Sequence, residues 1–211
     1  MAQIMKVRPT KIELVRLKRR LKLSSRVQKI VKDRLSILTM EFLQAARDTV
    51  KAKQHAIDAM NQAYKAMTIA SGYHGYVALQ KELVACEADI TVAAGPRSVA
   101  GVRLPSLELN EPPGGLRGYN LTQTSSLVDS ASDTSREALR AIVELAELQR
   151  GLELLGAEIN RTKRITNALE YILIPSLQAT IRFLAMKFEE RDREEKARLK
   201  RVKALLAAKA A

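Results

Sequence analysis

The chain has 211 residues, of which 46% are hydrophobic but only 4% aromatic, with no Trp and a net charge of +13. Ala, Leu, Lys, Arg and Glu dominate, a composition of long helices and coiled coils rather than of a compact mixed core. The charge points to an anionic partner, and the single cysteine, Cys86, excludes an intrachain disulfide and a cysteine-cluster metal site. Three segments follow in chain order: residues 1–70, 71–132 and 133–211.

The first segment is predicted to be one helix from about Thr10. Thr10-Lys11-Ile12-Glu13 fits a capping box just after Pro9. Leu14, Leu17, Leu21, Val31, Leu35, Leu38 and Phe42 then recur at alternating three- and four-residue spacing, interrupted by Ser24 and Gln28. That spacing is a left-handed coiled-coil seam. Beyond Ala45 the seam thins to Ala52, Ala56, Ala59 and Ala63. A second stripe, Ile57, Met60, Tyr64 and Met67, lies one position over and predicts a turned face or a second contact.

In the middle segment, residues 76–88 suit a short helix. Residues 89–94 and 99–109 read as two strands turning at Gly95-Pro96, and 110–118 as a loop rich in Gly and Pro. The last segment carries a second candidate capping box at Thr134-Ser135-Arg136-Glu137, and a helix is predicted from there to about Ala208. Its seam includes Leu169 and Leu173, shifts by one residue after Pro175 to Leu177, Ile181, Leu184 and Phe188, and resumes at Leu199, Val202 and Leu206. A proline inside a helix removes one backbone donor and crowds the preceding turn, so a kink is expected at Pro175, the alternative being two helices that meet there.

The expected fold is therefore mainly α: a long antiparallel two-helix coiled coil, with a small cap containing a short helix and a β-hairpin. Setting Leu14 beside Leu206 brings Ser24 and Gln28 near Lys196 and Asp192, where both seams are polar. It also places Pro175 opposite Ala45 and Ala46.

The sequence holds no recognisable catalytic constellation. His55 and His74 have no partners at metal-ligand spacing, and the Gly-rich 112–118 loop lacks the Lys-Ser/Thr and helix start of a phosphate loop. Cys86 has no neighbouring base in the sequence and reads as buried or inert. The acidic run Glu189 to Glu195 is interleaved with Arg and Lys, as on a solvated helix face. No cofactor or metal is expected. No stretch approaches the ~20 apolar residues of a membrane helix, and the N-terminus lacks a signal-peptide core, so an intracellular protein without direct membrane insertion is expected.

The positive signal is charge placement. Lys6, Arg8, Lys11, Arg16, Lys18, Arg19, Arg20, Lys22, Arg26, Lys29, Lys32 and Arg34 crowd the start of the first helix, opposed only by Glu13 and Asp33. In the antiparallel arrangement Lys196, Arg198, Lys200, Arg201 and Lys203 join them. Cations oppose the helix dipole in the first turn, so local stability does not explain the cluster. Two partner classes fit: nucleic acid, through its phosphates, or a protein cavity or ring that receives the basic tip. The basic region lacks the stacking aromatics and reading motifs of nucleic-acid binders.

The front segment RPTKIELVRLKRRLKL and the back segment INRTKRITNALEYILIPSLQATIRFLAMKFEERDREEKARLKRVK resemble the D subunit of the archaeal/vacuolar-type rotary ATPases. The sequence departs from the family near Ser24 to Lys29, where a glycine is usual. The resemblance implies a non-catalytic central-stalk axle that binds no nucleotide, in a complex on the cytoplasmic face of a membrane. The implied partners are the A and B subunits of the catalytic hexamer, the F subunit on the body and the C subunit at the rotor ring, with no nucleic acid. It assigns Lys11, Arg16, Lys18, Arg19, Arg20, Lys22, Arg198, Lys200, Arg201 and Lys203 to the catalytic-ring interface.

Overall fold

The computed structural model describes residues 5–84, 90–110, 119 and 124–210. The elements are α1 (Lys11–His74), α2 (Tyr76–Val84), β1 (Thr91–Val99), β2 (Val102–Asn110), α3 (Ser126–Ala168), a π-helical turn (Leu169–Leu173) and α4 (Ile174–Ala210). The fold is mainly α, a helical coiled coil with a short helix and one antiparallel hairpin. Two compact units form, one from Met1–Ser36 with Asn160–Ala211 and the other from Ile37–Ile159.

In the first unit, Thr10 caps α1: the Glu13 N–H donates to Thr10 Oγ1 at 3.3 Å. The reciprocal half of the capping box is replaced, because the Thr10 N–H donates to the Arg8 carbonyl at 2.9 Å and the Glu13 carboxylate pairs with Arg16 at 2.8 Å. Leu17, Leu177 and Leu184 form the buried core, with Leu14, Leu21, Leu173, Ile181 and Phe188 packed around it. Lys32 pairs with Glu170 at 2.9 Å, fixing the antiparallel register. The register expected from the polar seam positions is thereby corrected. Leu14 packs in the cluster with Phe188 rather than beside Leu206, and Ser24 is buried although Lys196 and Asp192 are exposed. Ala45 lines a cleft with Leu148, Gly151 and Leu155 of α3. Matching polar with polar misled because Ser24 is small enough to be buried in a helix seam, which an exposed charged run does not need to cover.

The helix does not stop at Pro175. The Ile174 N–H reaches back five residues to the Leu169 carbonyl, closing a π turn directly before the proline. The Ser176 hydroxyl donates to the Leu173 carbonyl at 2.8 Å, supplying a donor to a turn that Pro175 cannot serve. One extra residue in the turn accounts for the one-residue shift of the seam. Thr162 and Thr166 are buried before it, Leu177 and Leu184 after it.

In the second unit, Ala56, Ala59 and Ala63 of α1 pack against Ala138 and Ala141 of α3. Small side chains on both sides form the seam, and Ile57, Met60 and Tyr64, one position over, remain exposed. A second cluster joins Ala70, Leu79, Tyr119, Val128 and Ala131. Gly75, at φ +80°, ends α1 in the left-handed conformation; its N–H donates to the Ser71 carbonyl, and its own carbonyl accepts the Leu79 N–H of α2. The expected continuation of that short helix through 85–88 lies outside the described residues.

Two expectations are corrected in this unit. The hairpin turns at Ala100-Gly101, with φ +50° and +79°, not at Gly95-Pro96. Positive φ at both central residues matches the twist of the strands. Pro96 lies within β1 opposite Pro105. Counting from the turn, both occupy positions where an N–H would point away from the partner strand, so neither costs a ladder bond. Leu107 has the same parity, and its outward N–H donates to Glu147 of α3 at 2.8 Å. The second correction is the start of α3, at Ser126 rather than near Thr134. The Ser- and Thr-rich stretch has weak helix propensity, but burial of Val128 and Ala131 carries it, with Ser130 and Thr134 hydroxyls donating to carbonyls of the preceding turn.

Candidate interaction surfaces

The basic residues sit where α1 and α4 leave their polar faces to solvent. Lys11, Arg16, Lys18, Arg19, Arg20 and Lys22 are exposed, while Leu14, Leu17 and Leu21 between them face α4. Spacing alone achieves this, since core residues recur every three to four positions and the cations fill the rest. Arg16 is held by Glu13. Arg198, Lys200, Arg201 and Lys203 are likewise exposed on α4, Arg198 lying 3.8 Å from Glu194.

From Glu189 to Ala208 every side chain of α4 is exposed. Leu199, Val202 and Leu206, expected in the coiled-coil core, are 69%, 51% and 62% accessible. The corrected register explains this: α1 begins alongside the Phe188 level, so nothing among the described residues lies beside the tail. The other expected seam residues divide by depth. Leu17, Leu38 and Leu184 are buried, whereas Leu14, Leu21, Val31, Leu35, Phe42, Leu169, Leu173, Ile181 and Phe188 are half-buried. A side chain on Gly156 would begin 3.5 Å from the Phe42 ring, at ordinary van der Waals distance, so the ring packs directly over this position of α3.

The second unit presents two apolar surfaces. Leu43, Val50, Ile57 and Tyr64 recur every seven residues on α1 and are all exposed, with Met60 beside them. The Ile57–Tyr64 part is visible in the sequence; its extension back through Val50 and Leu43 was missed, and the seven-residue spacing was the signal that could have found it. Around the Gly75 corner, Ile69, Tyr73, Tyr76, Val77 and Val84 are also exposed. Sequence reasoning missed this group, because solvent exposure at a helix end leaves no periodic pattern.

Several ionisable groups have structural partners. His74 Nε2 accepts the Ser125 N–H at 3.1 Å and lies 2.8 Å from Ser125 Oγ. Ser125 stands at the start of α3, where its carbonyl accepts the Val128 N–H, so this contact ties the end of α1 to the start of α3. The Tyr119 hydroxyl donates to Asp129. The Glu170 carboxyl is held below its ordinary value of 4.5, chiefly by the hydrogen bond from Lys32, which outweighs desolvation; the Lys32 charge and Gln28 add to the lowering. Among the described residues no group of three His, Cys, Asp or Glu could hold a metal, and no helix is long and apolar enough to cross a membrane. Cys86 lies outside the described residues.

Comparison with known proteins bears on what these surfaces serve. The family described as the ATP synthase D subunit matches residues 13–204. The A-type ATP synthase D subunit of Pyrococcus furiosus is 38% identical over 211 residues, covering 99% of both chains. The protein of the same name from Methanopyrus kandleri is 36% identical over 201 residues, covering 95% of this chain and 87% of its own length. That of Desulfurococcus sp. is 35% identical across 99% of both.

Proposed function

The chain belongs to the ATP synthase D-subunit family, and from that premise we propose that it is the central-stalk rotor of an A/V-type ATPase, passing torque between a catalytic ring of A and B subunits and a membrane ion-translocating rotor. It is a component of a rotary ATP synthase complex; the axle role within that complex is the finer reading. The observation that carries it is the uncovered end of α4, where exposed Leu199, Val202 and Leu206 run among Arg198, Lys200, Arg201 and Lys203. A helix that shows both an apolar seam and dense charge to solvent is suited to a sleeve of other proteins.

Such a rotor performs no chemistry and needs no cofactor. Its effect comes from contacting each catalytic site differently, so that one conformation of that site is favoured at a given angle. The Lys11 to Lys22 cations face the ring in this reading, alongside those of the tail. The second seam of α1, Leu43 to Tyr64, suits a helix of the F subunit, because a seven-residue apolar repeat accepts another helix. The Tyr73–Tyr76 corner suits the C subunit. A kink at Pro175, where the π turn precedes the proline, would serve the same reading as an asymmetry of the rotor. The complex would lie on the cytoplasmic face of the membrane, with neither nucleic acid nor direct membrane insertion.

Neutralising Lys18, Arg19 and Arg20 to Gln should weaken co-assembly with the A/B ring and lower coupled ATP turnover, leaving helix content unchanged. Full assembly and turnover in that variant, or tight salt-sensitive DNA binding by the unaltered chain in place of ring binding, would refute the proposal.

A further inference from the structure

The segment ahead of α1 takes part in the core of the first unit. Met5 and Val7 are half-buried while Lys6 and Arg8 are exposed, the two-residue alternation of an extended chain lying on a surface. The Thr10 N–H donates to the Arg8 carbonyl at 2.9 Å, a three-residue turn that reverses the chain before α1 begins. Met5 thereby reaches Thr180 of α4. Thr180 lies between Leu177 and Leu184, which pack on Leu17, so the segment doubles back over the first turns of α1.

Two contacts hold it there. The Met5 side chain packs against the Leu17, Leu177 and Leu184 cluster. Its N–H donates to Thr180 Oγ1 at 3.1 Å, and that hydroxyl donates in turn to the Ser176 carbonyl at 2.7 Å. Thr180 is almost fully buried. A valine of the same shape would serve the packing, but only the hydroxyl offers an acceptor inside an apolar seam. A backbone N–H turned toward a core is costly when it finds no acceptor. Thr180 is thus the residue that admits the Met5 backbone to this seam.

We propose that residues 5–9 are a releasable strap that locks the α1/α4 seam, with Thr180 as its catch. One hydrogen bond and one flexible thioether side chain hold it, whereas each helix is held along its whole length. The strap therefore opens locally while both helices stay formed. Opening bares the seam at Leu177 and Leu184 and carries Lys6 and Arg8 away from the cations of α1. The lock belongs to the first unit alone and does not depend on the rotor reading.

Amide hydrogen exchange of the full chain tests this. The Met5 amide should exchange about tenfold more slowly than the exposed Lys6 amide, the protection expected of one such hydrogen bond. Thr180→Val should remove that protection, and Thr180→Ser, which keeps the hydroxyl, should retain it. Met5→Ala should speed exchange across 11–21 and 177–184 and raise binding of a dye specific for apolar surface, with residues 37–159 unchanged. Equal exchange at Met5 in the unaltered chain and in Thr180→Val would overturn the catch. Exchange in Met5→Ala that rises in neither unit, or in both alike, would overturn the lock. Should Thr180→Val disrupt α4 itself, Met5→Ala, altered outside every helix, decides the matter.

Discussion

Glu170 joins the two chain segments of the first unit through Lys32, and its charge state makes that join sensitive to acid. Its folded value is depressed relative to 4.5, so the carboxylate is ionised throughout the neutral range. A depressed acid contributes stability that is fully present above its unfolded value and is lost as pH falls through the folded one. Glu170→Gln should therefore be less stable than the unaltered chain by a constant margin near neutrality, and that margin should shrink below about pH 4.5. Thermal midpoints of both proteins across that range check this; a margin independent of pH would exclude the pair as its origin. The sequence places Lys32 among the basic residues of α1 and Glu170 within a helix, but nothing in either segment joins them. Their meeting depends on the register of two distant helices.

Helix elements were legible where periodicity met no competing signal. The seam from Leu14 to Phe42 and the one-residue shift near Pro175 both follow from spacing, and the structure supplies the physical cause of the shift in the π turn. The start of α3 was not legible, because Ser and Thr favour loops locally and only burial against the 66–83 region overrides them. The hairpin turn was misplaced because Gly-Pro is a strong local turn signal; two prolines opposite each other in a strand pair become tolerable only once the register is known. Pro175→Ala should restore a backbone donor, straighten the helix and stabilise the chain by about 1–3 kcal/mol, the usual penalty of an interior proline less what the π turn already recovers. A crystal structure and a denaturation curve of that variant check both parts; a helix with unaltered curvature would remove the proline as the source of any kink.

At the scale of the whole molecule, the chain folds into two compact units, each built on antiparallel helices, and it leaves several apolar surfaces uncovered. Apolar side chains that no part of the chain covers contribute little to its own stability, and their cost is recovered in an assembly. Replacing Leu199, Val202 and Leu206 together by Ser should leave the thermal midpoint of the isolated chain essentially unmoved, while co-assembly with the catalytic ring drops markedly. Calorimetry of the free chain and pull-down with the ring measure the two effects. A large fall in the midpoint would mean that the tail is covered within the chain itself.

The sequence by itself determined the mainly helical class, the two seams, the surplus of cations on α1 and α4, and the family, because all four follow from composition, spacing and local motifs. Tertiary structure alone decided the register of α1 against α4, the turn of the hairpin, the early start of α3 and the bareness of the tail. Each of these depends on contacts between residues far apart in the chain. Periodic apolar spacing states that a helix has a buried face; it does not state which segment lies against that face, or at what offset.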